Sequence, residues 1–135
     1  MPLFDWNDSY SVKVEEFDSH HKRLVGLVNR LYDAMKDGEG SVVLSDIFDE
    51  LIQYTVFHFQ AEEKLMLAHN YPKMNEHKAA HQDLTKQALE LQEKFKSGDM
   101  FVTIEVLNFL RDWLSKHILG MDKEYSAFFN AKGIK

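Results

Sequence analysis

The chain of 135 residues has no cysteine, only two prolines and six glycines, and no long apolar run. Without cysteine it can form neither disulfide bonds nor thiolate metal sites, and a cysteine nucleophile is excluded, although the redox compartment stays open. No apolar stretch approaches the roughly 20 residues that span a membrane. The opening MPLFDWNDSY has neither the basic nor the apolar region of a signal peptide. We therefore expect a cytoplasmic protein without membrane insertion.

Basic residues are outnumbered by acidic ones, since the chain has 16 lysines and arginines and 22 aspartates and glutamates, with a formal net charge of -6. A nucleic-acid-binding protein normally carries a basic face, so we expect no nucleic-acid partner. The composition, with 44% apolar and 28% charged residues, is that of a soluble globular protein. The length suffices for one core, and we expect a single domain over residues 1–135 and a monomer.

Three turn signals divide the chain into four segments with helical periodicity: DGEGS at 37–41, HNYP at 69–72 and KSGD at 96–99. Pro72 suits a first helical turn, Gly98 suits a helix C-terminus, and Asp99 can cap the helix that follows. We predict helices over residues 19–36, 42–68, 72–96 and 100–119, with a shorter helix after Gly120.

Four long helices joined by short loops predict an all-α fold, an up-down-up-down antiparallel four-helix bundle. Residues 1–17 are predicted to form an extended N-terminal arm, with Phe4, Trp6 and Phe17 packed on the bundle. The short helix after Gly120 completes the predicted architecture at the C-terminal side.

Polar residues interrupt the apolar stripes of all four predicted helices, at positions that the helical period assigns to the interior. They are His21, His58, Glu62, His77, His81 and His117. Two pairs, His58 with Glu62 and His77 with His81, are four residues apart, which places the members of each pair on one face about 6 Å apart. Residues early in the first and third helices and late in the second and fourth meet at one end of an antiparallel bundle.

A lone histidine on an apolar face is more often a hydrogen-bonded core residue than a metal ligand. Five of them with a buried carboxylate would each need a separate partner, because an unpaired buried group costs roughly 1–3 kcal/mol. One shared metal site would satisfy them all, and we prefer that interpretation. Asp122 differs, because five residues after His117 it would lie about 140° away in a regular α-helix. On spacing alone it is a solvated acid, unless the helix widens or breaks at Gly120.

Four segments carry a family resemblance: DSHHKRL at 18–24, HFQAEEKLM at 58–66, YPKMNEHKAAH at 71–81 and WLSKHILGMD at 113–122. Together with Trp6 in the N-terminal arm, they resemble the hemerythrins, and most closely the single-domain bacteriohemerythrins, over essentially the whole chain. In the first segment the family's ligand stands just before the lysine, which selects His21. The preceding His20 stands where the family often has glutamine.

The resemblance implies a non-haem di-iron centre with seven ligands, which are His21, His58, Glu62, His77, His81, His117 and Asp122. Glu62 and Asp122 would bridge the two irons together with an oxo or hydroxo group. His77, His81 and His117 would complete six-coordination at one iron. His21 and His58 would leave the other iron with an open position for dioxygen. Imidazole and carboxylate ligands suit iron, and an open position distinguishes a reactive centre from a structural one.

The ligand set has five neutral imidazoles and only two carboxylates, so it should stabilise ferrous iron relative to high-valent iron. Such a centre should release dioxygen unchanged rather than activate it. We expect reversible dioxygen binding for oxygen transport, storage or delivery, without enzymatic activity and with an unidentified oxygen-consuming enzyme as recipient. Phe59, Trp113 and Leu114 are predicted to line the dioxygen pocket, and ordinary core packing is the alternative for all three. Other hypotheses are a di-iron oxidase, peroxidase or nitric-oxide-handling protein, and a sensor or iron-handling module.

Other residues near these segments are predicted to lie apart from the centre. His69 follows His58 by about 16 Å along the helix and cannot reach the same cluster. His20 diverges from His21 by about 100°, toward a boundary or solvent. Glu63 diverges likewise from Glu62, so we expect it on a solvated face. The aromatic residues near the C-terminus are predicted to serve packing, and they are Tyr125, Phe128 and Phe129.

Overall fold

Five α-helices follow one another in the computed structural model, which describes residues 3–98 and 104–135. They are α1 (Glu15–Lys36), α2 (Ser41–Ala68), α3 (Met74–Lys96), α4 (Ile104–His117) and α5 (Glu124–Ala131). A 3-10 turn (Asp8–Tyr10) precedes α1, and a π-helical turn (Ile118–Asp122) joins α4 to α5. The predicted bundle of four antiparallel helices, with an N-terminal arm and a short C-terminal helix, is confirmed.

Helix α1 begins at Glu15, earlier than the predicted start at residue 19. Acidic residues in its first turn interact favourably with the positive end of the helix dipole. One of them, Asp18, also accepts a hydrogen bond of 2.8 Å from the backbone amide of Val12, which ties the arm to the helix. The arm is therefore shorter than predicted, and Phe17 is buried as a residue of α1.

The other helix boundaries differ from the predictions by smaller amounts. Helix α2 begins at Ser41, one residue early, and α3 begins at Met74, so that Pro72 lies in the preceding turn. The regular part of α4 ends at His117 because the π-helical turn follows. The predicted start of this helix at residue 100 and the predicted cap Asp99 lie outside the described residues.

The first two long helices end in the same kind of tight turn. Gly38 after α1 and Asn70 after α2 have positive φ angles of 73° and 56°. In each case the next amide donates to the carbonyl five residues back, at 3.0 Å after Gly38 and 2.9 Å after Asn70. These bonds satisfy carbonyls that the helix end would leave free. Gly98, with a φ of 84°, ends α3 as predicted.

The arm packs on the bundle as expected. Phe4 is buried, and both its amide and its carbonyl bond to the side chain of Asn29 on α1 at 2.8 Å. Trp6 is half-buried against the core. None of the helices within residues 3–98 and 104–135 is both long and apolar enough to cross a membrane.

One end of the bundle has an almost purely hydrocarbon interior, which we call the apolar end. It lies where α1 and α3 finish and α2 and α4 begin, and it contains Leu31, Phe48, Phe95 and Leu107. The rings of Phe48 and Phe95 stack with centroids 6.4 Å apart and planes 18° from parallel. The other end of the bundle, where the polar interruptions of the stripes meet, is built differently.

Candidate metal centre

All four long helices and the π-helical turn contribute a buried polar side chain to one end of the bundle. None of these seven residues is more than 7% exposed, and they are His21, His58, Glu62, His77, His81, His117 and Asp122. They are the residues that the sequence singled out as ligands. The structure brings all seven together, as the antiparallel arrangement of the helices requires.

Asp122 reaches this cluster because the chain widens after α4. In the π-helical turn the amide of Lys123 donates to the carbonyl of Ile118, five residues back, at 3.1 Å. A wider turn reduces the rotation per residue, so Asp122 faces the same side as His117. The solvated position inferred from spacing alone is wrong, since Asp122 is fully buried. The alternative of a widened helix around Gly120 is confirmed.

The carboxylate of Asp122 lies between histidines from three different helices. Its Oδ1 is 2.9 Å from Nε2 of His77 and 3.0 Å from Nε2 of His117. Its Oδ2 is 3.0 Å from Nε2 of His21. Each oxygen thus faces a different part of the cluster.

Glu62 divides its two oxygens in the same way. Oε1 is 3.1 Å from Nε2 of His81 and 3.5 Å from Nε2 of His77. Oε2 is 3.3 Å from Nε2 of His58 and 3.6 Å from Nε2 of His21. Both carboxylates therefore contact both subsets of histidines.

These contacts define two groups of donor atoms, and the atoms within each group lie within 4.8 Å of one another. The three-histidine group contains His77, His81 and His117, and the two-histidine group contains His21 and His58. Glu62 and Asp122 belong to both groups. Two metal ions, one in each group, would share both carboxylates.

Hydrogen bonding within the protein does not account for this cluster. Nine buried side-chain atoms of these residues have no hydrogen-bond partner among the described residues, and they include Nε2 of all five histidines. The nitrogens lie 2.9–3.6 Å from the carboxylate oxygens, close enough for an ion between them to contact both. Unpaired buried groups are costly, whereas imidazole and carboxylate are good ligands for iron and similar ions. The donor set therefore fits metal ions.

The charges within the cluster shift the proton affinities of its members in the metal-free protein. Burial opposes a positive charge on His21 and His77, but the carboxylates of Asp122 and Glu62 outweigh it and raise the pKa of both imidazoles to about 9. Burial likewise opposes ionisation of Glu62 and Asp122. Neighbouring histidines, chiefly His58 for Glu62 and His117 for Asp122, hold the pKa of each carboxyl well below its ordinary value.

Three further side chains contact the cluster from outside. Oε2 of Glu63 lies 2.9 Å from Nδ1 of His81. Nδ1 of His20 lies 2.8 Å from Nδ1 of His58. The hydroxyl of Tyr125 donates to Oε2 of Glu62. These contacts hold the ligand side chains in place.

For the residues around the cluster, some of the predicted positions are confirmed and others are wrong. The prediction of a solvated Glu63 is wrong, since its side chain is 21% exposed and paired with His81. The predicted boundary position of His20 is confirmed, because it is half-buried. Tyr125 and Phe129 are buried in the core as predicted, but the hydrogen bond from Tyr125 was not anticipated. His69 caps α2 and belongs to neither donor group, as predicted.

The three residues predicted to line a dioxygen pocket are buried close to the cluster in sequence or in space. The ring of Phe59 stacks on that of His81, with centroids 3.9 Å apart and planes 5° from parallel. Trp113 donates from Nε1 to the carbonyl of Leu84 at 3.1 Å, which links α4 to α3. Leu114 is 3% exposed and lies one turn before His117. Their role toward dioxygen stays a prediction.

An open cleft of about 570 Å³ between α2 and α3 reaches this region from the surface. Phe59 and His81 lie at its buried side, and Glu63, Lys86 and Glu90 are among its charged residues. Solvent therefore comes close to the outer partner of one candidate ligand.

The fold and the site together define an all-α bundle protein with a buried centre of histidines and shared carboxylates that can hold metal ions. The family model described as the hemerythrin HHE cation binding domain matches residues 12–129. The chain belongs to the hemerythrin family.

Its relatives match most of the chain. The bacteriohemerythrin of Methylococcus capsulatus is 35% identical over 132 residues, which are 97% of this chain and 100% of that protein. The bacteriohemerythrin of Pseudomonas aeruginosa strain PAO1 is 32% identical over 120 residues, 89% of this chain and 77% of that one. The crystal structure of a wild-type hemerythrin, 34% identical, matches with a TM-score of 0.87 over 93% of this chain and 96% of its own.

Proposed function

We propose that this protein binds dioxygen reversibly at a non-haem di-iron centre and serves oxygen transport, storage or delivery rather than catalysis. The observation that carries the proposal is the pair of donor groups that share Glu62 and Asp122 in the core of a hemerythrin-family bundle. Two adjacent ions need shared ligands, and a single ion would leave part of the seven-residue set unused.

The assignment of ligands follows the two groups. His77, His81 and His117 would hold one iron together with the shared carboxylates, and His21 and His58 would hold the other. The two-histidine position has one imidazole fewer and would leave a coordination position for dioxygen. An oxo or hydroxo bridge would complete the centre. The iron pair would supply two electrons to dioxygen and recover them when dioxygen leaves.

The protein's own contribution is to balance charge and to exclude water. Two carboxylates offset half of the charge of two ferrous ions, and the remaining ligands are neutral imidazoles, a set that favours the ferrous state. Phe59, Trp113 and Leu114 are buried and lie within one helical turn of a ligand in sequence, and we propose that they limit the access of water and anions. We include in the proposal a single domain, a monomer, a cytoplasmic location and an oxygen-consuming enzyme as recipient.

The test is an optical spectrum of the reduced, iron-loaded protein recorded under nitrogen, then under air, then under nitrogen again. A visible band that appears in air and disappears under nitrogen, with two irons per chain by metal analysis, supports the carrier. Irreversible oxidation within seconds, accompanied by turnover of a substrate or of peroxide, would identify an enzyme instead. One zinc per chain that iron cannot replace would rule out the di-iron centre.

A further inference from the structure

Two of the candidate ligands have outer hydrogen-bond partners of different charge. His81, in the three-histidine group, is paired through Nδ1 with the carboxylate of Glu63 at 2.9 Å. His58, in the two-histidine group, is paired through Nδ1 with the imidazole of His20 at 2.8 Å. The two metal positions therefore differ in more than the number of their histidines.

The position of the proton in each pair follows from the direction of the rings. Nε2 of both His81 and His58 points into the cluster, so a metal there would take the Nε2 lone pair and leave the proton on Nδ1. His81 then donates to an anionic acceptor. His58 donates to Nδ1 of His20. Because His20 accepts at Nδ1, its own proton is on Nε2, and its imidazole is neutral.

The pairing of His81 with Glu63 is held in a fixed direction. The ring of Phe59 lies parallel to that of His81, with centroids 3.9 Å apart. This stacking fixes the plane in which Nδ1 of His81 can donate. A carboxylate that accepts from a ligating imidazole increases the basicity of that imidazole toward the metal.

The interactions on the two-histidine side act in the opposite direction. Nδ1 of His21 has no hydrogen-bond partner among the described residues. The hydroxyl of Tyr125 donates to Oε2 of Glu62, the oxygen that faces His21 and His58. A donated hydrogen bond draws negative charge away from that oxygen, so the donors on this side are weaker.

We propose that Glu63 is a positioning residue that makes the two metal positions unequal, acting through His81 to strengthen metal binding and favour the higher oxidation state in the three-histidine group. This inference rests on the proposed di-iron function. If an added one-electron oxidant took one electron from the diferrous centre, the ferric ion would then be held in the three-histidine group and the ferrous ion in the two-histidine group.

The first test uses cobalt(II) binding to the metal-free protein, which requires no iron chemistry. Glu63→Gln keeps an acceptor for His81 but removes the charge, and Glu63→Leu removes both. Glu90→Gln is the matched control, because Glu90 lies on the same cleft but contacts no cluster histidine. We expect two cobalt ions in the wild type and in the control. One of the two binding steps should weaken about 10- to 100-fold in Glu63→Leu, and by less in Glu63→Gln.

The outcomes separate the two proposals. A wild-type chain that does not bind two ions contradicts the proposed di-metal function. Two ions in the wild type, with both steps unchanged in Glu63→Gln and Glu63→Leu relative to Glu90→Gln, contradict the role of Glu63 alone. Circular dichroism of each variant checks that the helices are intact.

The second test is the half-oxidised iron protein, studied by Mössbauer spectroscopy and redox titration. We expect distinct ferric and ferrous sites in the wild type, and in Glu63→Gln a higher reduction potential for the iron that is oxidised first. Glu90→Gln should leave that potential unchanged. A charge shared equally between the two irons, or the same shift of potential in both variants, would overturn the proposal.

Discussion

The two ends of the bundle have interiors of opposite character, one filled by hydrocarbon side chains and the other by polar side chains. At the apolar end, buried side chains such as Phe48 and Leu107 are stabilised by removal from water and need no metal ion. At the cluster end, five histidines and two carboxylates occupy the same kind of interior positions. Nine of their nitrogen and oxygen atoms lack hydrogen-bond partners among the described residues, and metal ions would satisfy them.

The difference shows that one helical framework combines a half filled by hydrocarbon side chains with a half whose buried donors fit metal ions. We expect the apolar end to hold the four helices together in the metal-free protein. The donors at the cluster end would then be assembled before metal binds, and metal binding would stabilise the folded state by an amount that grows with the logarithm of its affinity.

The largest effect that tests this contrast is loss of metal from the cluster end. His77→Ala and His58→Ala each remove a donor from one group, so we expect either to impair assembly of the di-iron centre severely. His69→Ala should retain near-normal iron, because His69 caps α2 away from both groups. Iron per chain, measured on protein loaded in parallel, decides the matter, and equal losses in all three variants would contradict the ligand assignment.

The next effect is confined to the apolar end. Phe48→Ala leaves a cavity against the ring of Phe95, and we expect it to lower the free energy of unfolding by about 3–5 kcal/mol. Iron content should stay at two per chain, because no ligand moves. Denaturant unfolding and metal analysis of the same sample provide the measurement. A matching loss of iron would show that the two ends are not independent.

A substitution beside the cluster should affect both stability and chemistry. Leu114→Ala removes a buried side chain, at a cost of about 2–5 kcal/mol, and admits water or small anions near the centre. We expect faster autoxidation with both irons retained. The decay of the visible band of the oxygenated protein, with iron measured in the same sample, is the readout. An unchanged decay rate would show that Leu114 serves only core packing, and Phe59 and Trp113 would be the next candidates for the dioxygen pocket.

The smallest effect is a difference in pH dependence between the metal-free and loaded protein. In the metal-free protein, His21 and His77 have a pKa raised from 6.5 to about 9, so their protonated forms stabilise the fold. That contribution is complete below pH 6.5 and is lost as the pH rises to about 9. The thermal midpoint should therefore fall by several degrees across this interval. Iron-loaded protein should show little change, because its imidazoles are already unprotonated.

Much of this site could be predicted from the sequence, because the helical period alone assigns His58 and Glu62 to the interior. The same period misplaced Glu63, which follows Glu62 by about 100° around α2. Its contact with His81 depends on how closely α3 packs beside α2, a distance that no single-helix pattern contains. The burial of such an acid becomes predictable only when the neighbouring helix is placed.

The C-terminal contacts were harder to predict for a related reason. The π-helical turn at Ile118–Asp122 is a local departure from the period on which the prediction relied. It sets the direction of α5 and so brings the hydroxyl of Tyr125 to Glu62. The start of α1 was missed because an acidic first turn, anchored through Asp18, extends the helix into a segment that looked irregular.

The π-helical turn contains one residue more than a regular α-helix needs to place His117 and Asp122 on the same face. His117 and Asp122 are five apart in sequence, yet they meet as residues four apart do in a regular helix. Deleting a residue such as Gly120 would let the segment close as an ordinary α-helix while the two side chains still shared a face. A deletion between His58 and Glu62, or between His77 and His81, would instead rotate one donor by about 100°. We therefore expect the spacing of the ligands in α2 and α3 to tolerate no deletion, whereas the step from His117 to Asp122 should tolerate the loss of one residue with both side chains still on one face.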